Sequence, residues 1–86
     1  MKKQIDVKQI VVHYYALFRD LRGKDSETIS TQAASPRELY EELGMSDALR
    51  LDTRSVKVAV NDAFASWDDA LQGGDLVVFI APTAGG

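Results

Sequence analysis

An unbroken apolar run, Leu76 to Ile80, is closed two residues later by Pro82 and followed by a Gly85-Gly86 end. No other stretch restricts the fold as much. Its length and its branched and aromatic side chains read as a buried strand. Pro82 has no amide proton to donate to a ladder, so pairing is expected to stop there. The residues beyond it are small and uncharged. The expected organisation is a flexible N-terminal extension over residues 1–8, a rigid domain over residues 9–81, and an extended tail over residues 82–86.

Such a tail suits one kind of chemistry. A carboxylate is a poor electrophile and must be activated, for example as an acyl-adenylate. The activating enzyme has to bring a nucleotide against the terminal carbonyl. Two glycines leave no Cβ in the way and adopt backbone conformations that other residues avoid. Fully extended, five residues reach roughly 16–18 Å. That span carries a terminus into a partner's pocket while the domain stays outside.

The 86 residues make one small domain with a thin core. The net charge of −3 argues against nucleic acid or an anionic membrane as the main partner. With no cysteine there is no disulfide, thiolate metal site or thiol nucleophile. Residues 10–18 are interrupted by His13 and too short to span a bilayer, so a cytoplasmic location is expected.

Along the chain, Gln9–Ala16 reads as a first strand. Alternation puts Ile10, Val12 and Tyr14 on one face and Val11, His13 and Tyr15 on the other. Leu17–Arg22 predicts one or two helical turns, with Leu17, Phe18 and Leu21 at helical spacing and Gly23 as C-cap. Asp25–Gln32 is a weak second strand returning antiparallel. Ser35-Pro36-Arg37-Glu38 marks a helix start: N-cap, proline at the first position, capping box. Leu39, Tyr40 and Leu43 form its buried stripe, and Gly44 closes it. Ser46–Leu51 reads as a further short turn. Val56–Val60 and Ala63–Ser66 read as a hairpin turning at Asn61-Asp62, and Gly73-Gly74-Asp75 as the turn into the last strand. This is an α+β pattern, a mixed sheet of about five strands with one main helix across it. Strands one and five are expected to pair centrally, which is the β-grasp (ubiquitin-like) arrangement.

Three stretches then resemble the ubiquitin-like sulfur carriers, most nearly the small subunit of molybdopterin synthase. They are Tyr14–Gly23 with its Arg-acid-Leu core, Val58–Asn61, and Leu71–Gly86 with its pattern of Leu, Gly-Asp, apolar strand, Pro and Gly-Gly. Ala81 stands where the family often has the first of two prolines, and Thr83-Ala84 replaces the usual small pair. The resemblance implies that an adenylyltransferase related to ubiquitin-activating enzymes uses Mg-ATP to adenylate Gly86. A persulfide protein then supplies sulfur, leaving a thiocarboxylate. The tail, Ala81, Pro82, Thr83, Ala84, Gly85 and Gly86, would insert into the large synthase subunit of a heterotetramer. Two charged copies would supply the dithiolene sulfurs. No acid, base, metal or permanently bound cofactor is expected in this chain. The alternatives are a carrier for thiamine or another cofactor, a ubiquitin-like modifier, and a plain scaffold domain.

His13, a lone histidine without cysteine or paired acids, reads as a strand-face residue rather than a metal ligand. Trp67 reads as core or rim packing, and Glu38, Glu41 and Glu42 as a solvated helix face. If Val77 and Phe79 point into the core, Leu76, Val78 and Ile80 join Val11, His13 and Tyr15 on the other face. Arg19 lies at its margin. These seven residues are the expected partner interface.

Overall fold

The computed structural model describes residues 7–82. Five strands form one sheet in the order β2-β1-β5-β3-β4. They are β1 (Lys8–His13), β2 (Ser26–Thr31), β3 (Lys57–Val60), β4 (Ala63–Ala65) and β5 (Leu76–Ile80), with helices α1 (Ala16–Arg22), α2 (Pro36–Glu42) and α3 (Met45–Leu49) between them. The central pair, β1 with β5, is parallel, while β2, β3 and β4 run antiparallel to their neighbours. This is the β-grasp order expected from the sequence.

Local chemistry explains most boundaries. Ser35 Oγ accepts from the Glu38 amide at 3.3 Å, and Pro36 opens α2. Glu38 Oε1 accepts from the Ala34 amide at 2.9 Å, one residue ahead of the usual capping-box partner. Asn61 and Asp62 both take positive φ, the geometry of a two-residue hairpin turn that follows a right-handed strand twist. Gly74 reaches φ 89°, which favours glycine at that position.

Other boundaries moved. β1 ends at His13 rather than Ala16, because Tyr15 caps α1 and Ala16 turns the chain at φ 52°. β4 ends at Ala65: the Ser66 amide turns to Asp69 Oδ2 at 2.9 Å and leaves the ladder. The expected apolar stripe of α1 divides. Phe18 is buried, whereas Leu17 and Leu21 remain 47% and 39% exposed.

The core lies between the sheet and α2. Ile10, Val12, Val58, Val77 and Phe79 meet Leu39, Tyr40 and Met45 there. Phe79 is the hub of an aromatic cluster, stacked on Trp67 at 5.8 Å and tilted against Tyr40 at 5.2 Å. Trp67 also donates from Nε1 to the Val56 carbonyl at 3.1 Å, so it packs on the core as expected. Glu38, Glu41 and Glu42 are exposed.

Candidate functional site

The last strand is fastened at its entrance. The Asn61 side chain accepts from the Leu76 amide and donates to Asp75 Oδ1, both at 3.0 Å. Asp75 Oδ2 accepts from the Gln72 amide at 2.8 Å, and the Asp75 carbonyl accepts from the Val11 amide at 3.0 Å. From there β5 runs through the centre of the sheet. Its last pair is Ile80 with Lys57. Ala81 still touches the core, and Pro82 is exposed. Thr83, Ala84, Gly85 and Gly86 lie outside the described residues, as do residues 1–6 of the expected N-terminal extension.

The two faces of β5 differ. Val77 and Phe79 are 0% and 1% exposed, beneath α2 and Trp67. Leu76, Val78 and Ile80 face away from the helices, as alternation requires. Cross-strand pairing brings Val11 beside Leu76, and His13 beside Val78. The row continues from Val78 to Ala59 and on to Phe64. On β2 the outward residues are Ser26, Thr28 and Ser30. No carboxylate occupies an outward strand position, and Lys57 supplies the one formal charge there. Along β5, β3 and β4 this face is apolar with one positive group, and towards β2 it turns to uncharged polar side chains.

Next to the end of β5 the open face deepens into an apolar groove of about 640 Å³. Tyr15, Ala16 and Leu17 form one wall, and Val78 to Pro82 form the other. Tyr15 is 57% exposed and Ile80 38%. Ala81 and Pro82, the described residues that follow β5, line this groove.

Six of the seven sequence-derived interface residues thus share the open face or its groove. The seventh, Arg19, lies on α1, where its guanidinium stands 3.9 Å from the Asp25 carboxylate. Together with His13, Tyr14, Tyr15 and Ser26 this pair lines a shallow polar hollow beside the face. Arg19 thus stands at the margin of the face, with a local acid already beside it. Phe64 was missed by sequence reasoning. It is 75% exposed and belongs to the same face through its pairing with Ala59. The readable signal was the alternation Ala63-Phe64-Ala65 in a hairpin strand.

One buried polar network ties α1 to the hairpin. The Tyr14 hydroxyl donates to Glu27 Oε2 at 2.5 Å, and Arg22 donates to the same oxygen from Nη2 at 2.7 Å. Burial, together with the Glu27 carboxylate, pushes the Tyr14 hydroxyl well above its ordinary range. Burial alone would raise Glu27 as well. The hydrogen bonds from Tyr14 and Arg22 outweigh it and hold the carboxyl below 4.5. The network braces the turn that forms the groove wall.

Among the described residues no helix is long and apolar enough to cross a membrane. The chain is similar to molybdopterin converting factor subunit 1 from Pyrococcus furiosus, with 32% identity over 88% of this chain and 99% of that one and a TM-score of 0.71. Small archaeal modifier protein 1 from Haloferax volcanii shares 15% identity over 88% of this chain and 99% of that one, TM-score 0.73. Subunit 1 or 2 in the complex of molybdopterin-converting factor subunits from Helicobacter pylori matches at 20% identity over 91% and 99%, TM-score 0.60. The last two likenesses are of fold. A family model described as the ThiS family matches residues 12–86, and the chain belongs to that family.

Proposed function

We propose that this protein is a sulfur carrier, the small subunit of a molybdopterin synthase, and that it bears sulfur as a thiocarboxylate on Gly86. The observation that carries this reading is the course of β5. The sheet's central strand is pinned at its entrance, ends at Ile80 and leads through Ala81 and Pro82 along an apolar groove. The 32% identity to a converting factor subunit 1 supports the choice of pathway.

The chemistry then divides between this chain and its partners. The Gly86 carboxylate attacks the α-phosphorus of ATP on an adenylating enzyme, forming the acyl-adenylate and releasing pyrophosphate. The terminal sulfur of a persulfide displaces AMP, and a thiol cleaves the resulting S–S bond, leaving the thiocarboxylate and a disulfide. The tail next enters the large subunit's pocket, where a tethered nucleophile gains effective concentration and is kept from water. Acid, base and oxyanion donors belong to the partners, and this chain supplies rigidity behind the tail and a face to dock on. The Pro82 ring suits that task, since it fixes φ where the tail departs.

A second reading, a ubiquitin-like modifier, is favoured by the fold shared with a small archaeal modifier protein at TM-score 0.73. One experiment separates the two. The protein is incubated with its adenylating enzyme, ATP and a persulfide donor, and its intact mass is measured. A gain equal to sulfur replacing one oxygen supports the carrier. Lysine-linked adducts in place of that gain overturn it in favour of the modifier. Deleting Gly86 should abolish either product while the domain stays folded.

A further inference from the structure

The β3–β4 hairpin holds two groups that tail chemistry does not use. Phe64 is the most exposed of the large apolar side chains among the described residues, at 75%. Where β4 stops at Ala65 and β3 continues back to Lys57, the sheet edge opens into a notch of about 600 Å³. Its lining includes Val56, Val58 and Trp67 as well as Phe64 and Lys57. The Trp67 indole N–H is already satisfied by the Val56 carbonyl, so the ring presents apolar surface.

The charges on the rim are unequal. The Arg54 guanidinium is engaged by Asp52 at 2.8 Å. Lys57 makes no ion pair among the described residues. It is also the cross-strand partner of Ile80, the last paired residue before the tail. Directly opposed residues lie within about 5.5 Å at Cβ. A protein that closes over Ile80 and Pro82 therefore comes against Lys57 as well. An ammonium taken out of water without a counter-charge is strongly disfavoured. Among the described residues no outward strand position offers a carboxylate.

We propose that Lys57 and Phe64 form a second anchor for the protein that accepts the tail, and that this protein supplies a carboxylate to Lys57 beside an apolar side chain that enters the notch against Phe64. The inference rests on the carrier reading above and adds the chemistry of the acceptor's surface. The acceptor's footprint then extends beyond the groove, across the β5–β3–β4 half of the sheet. The tail delivers the sulfur, and the notch fixes which protein receives it.

The test uses the full chain and the purified acceptor subunit, with affinity measured by titration calorimetry at low and high salt. Phe64→Ser should weaken docking by at least about 30-fold, as loss of a buried aromatic anchor does. Lys57→Glu should weaken it by a similar factor, and added salt should reduce that penalty. Lys57→Arg and Phe64→Leu should stay within about threefold of wild type, since charge and apolar bulk are kept. Both side chains are exposed, and an unchanged thermal midpoint confirms that the variants are folded. If wild type gains sulfur but either Phe64→Ser or Lys57→Glu docks as tightly as it does, the anchor falls and the carrier reading stands. If wild type is never charged and never binds the acceptor, both fall.

Discussion

The two faces of the sheet are built from alternate residues of the same strands, and they are apolar to a similar degree at the centre. On one face Ile10, Val12, Val77 and Phe79 lie under α2 and Trp67 at 1% exposure or less. On the other, Val11, Leu76 and Val78 are half-buried and Ile80 is exposed, with only the start of α1 beside the end of β5. In so small a domain only one side of an apolar strand pair can be covered by the helices, and an apolar face left outside them is the expected place for another chain to dock. Folding free energy should therefore reside on the covered face and docking free energy on the open one.

The sharpest way to break that division is Phe79→Ala. Phe79 touches Phe18, Tyr40 and Trp67, with ring centroids 5.2–6.2 Å away. Removing it should cost about 3–5 kcal/mol, transfer and cavity terms together. That is a large share of the roughly 5–15 kcal/mol that holds a small domain. Urea unfolding should show a collapsed midpoint, whereas truncating Ile80 to Ala should shift it far less. Equal losses would mean that the two faces do not differ.

A smaller loss is expected from Glu27→Ala, which leaves the buried Tyr14 hydroxyl and Arg22 without their acceptor. An orphaned buried donor costs about 1–3 kcal/mol. The pH profile carries the signature. Glu27 is held below 4.5, so its contribution is present above that value and is lost as pH falls through the folded pKa. Tyr14 is raised above 10.0, so stability also declines as pH rises past 10, where the unfolded tyrosine ionises first. Thermal midpoints from pH 3 to 6 should vary less steeply in the variant than in wild type.

This network also shows where the sequence stopped being legible. Alternation along residues 9–13 and 76–80 sorted both faces correctly, because a strand's period is set by backbone geometry alone. Ser35-Pro36 and Asn61-Asp62 were readable for a similar reason, since each acts within a few residues. The bond of Tyr14 to Glu27 and Arg22 depends on a hairpin and a helix closing over one another, which no local pattern encodes. Helical spacing likewise groups Leu17 with Phe18 but cannot say which of them meets the core. Met45, fully buried at the start of α3, had no periodic neighbours to mark it. Phe64 was passed over because its face follows from its pairing with Ala59 across the hairpin, and the alternation of Ala63-Phe64-Ala65 was not carried over from β3. The tail chemistry was read from residues that lie mostly outside the described ones.

A gain of about 0.5–1 kcal/mol is expected from Ala16→Gly. Ala16 takes φ 52° where β1 hands over to α1, on the open-face side of the molecule. A left-handed conformation costs a residue with a Cβ about 1–2 kcal/mol, and part of the relief is offset by glycine's freedom in the unfolded chain. The thermal midpoint should rise by a few degrees. No change would mean that the turn relaxes without strain.

Ile80→Glu should have the smallest effect on stability, and it tests the division most directly. Ile80 is 38% exposed and sits in the groove opposite Tyr15 and Leu17, away from the core. A surface exchange of this kind stays within about 0.5 kcal/mol of wild type. The same carboxylate would be carried into an apolar contact once a partner covers the groove, where an unpaired charge is costly. Its neighbour Lys57 can neutralise it only by giving up the counter-charge that the acceptor is proposed to supply. Docking should therefore weaken by at least about 30-fold, the scale of an interface hot spot, while the unfolding midpoint stays in place. A variant that loses stability and docking together would show that the open face helps to hold the fold. One that keeps both would show that no partner touches this end of β5. Loss of docking alone is the outcome expected of a face reserved for another chain.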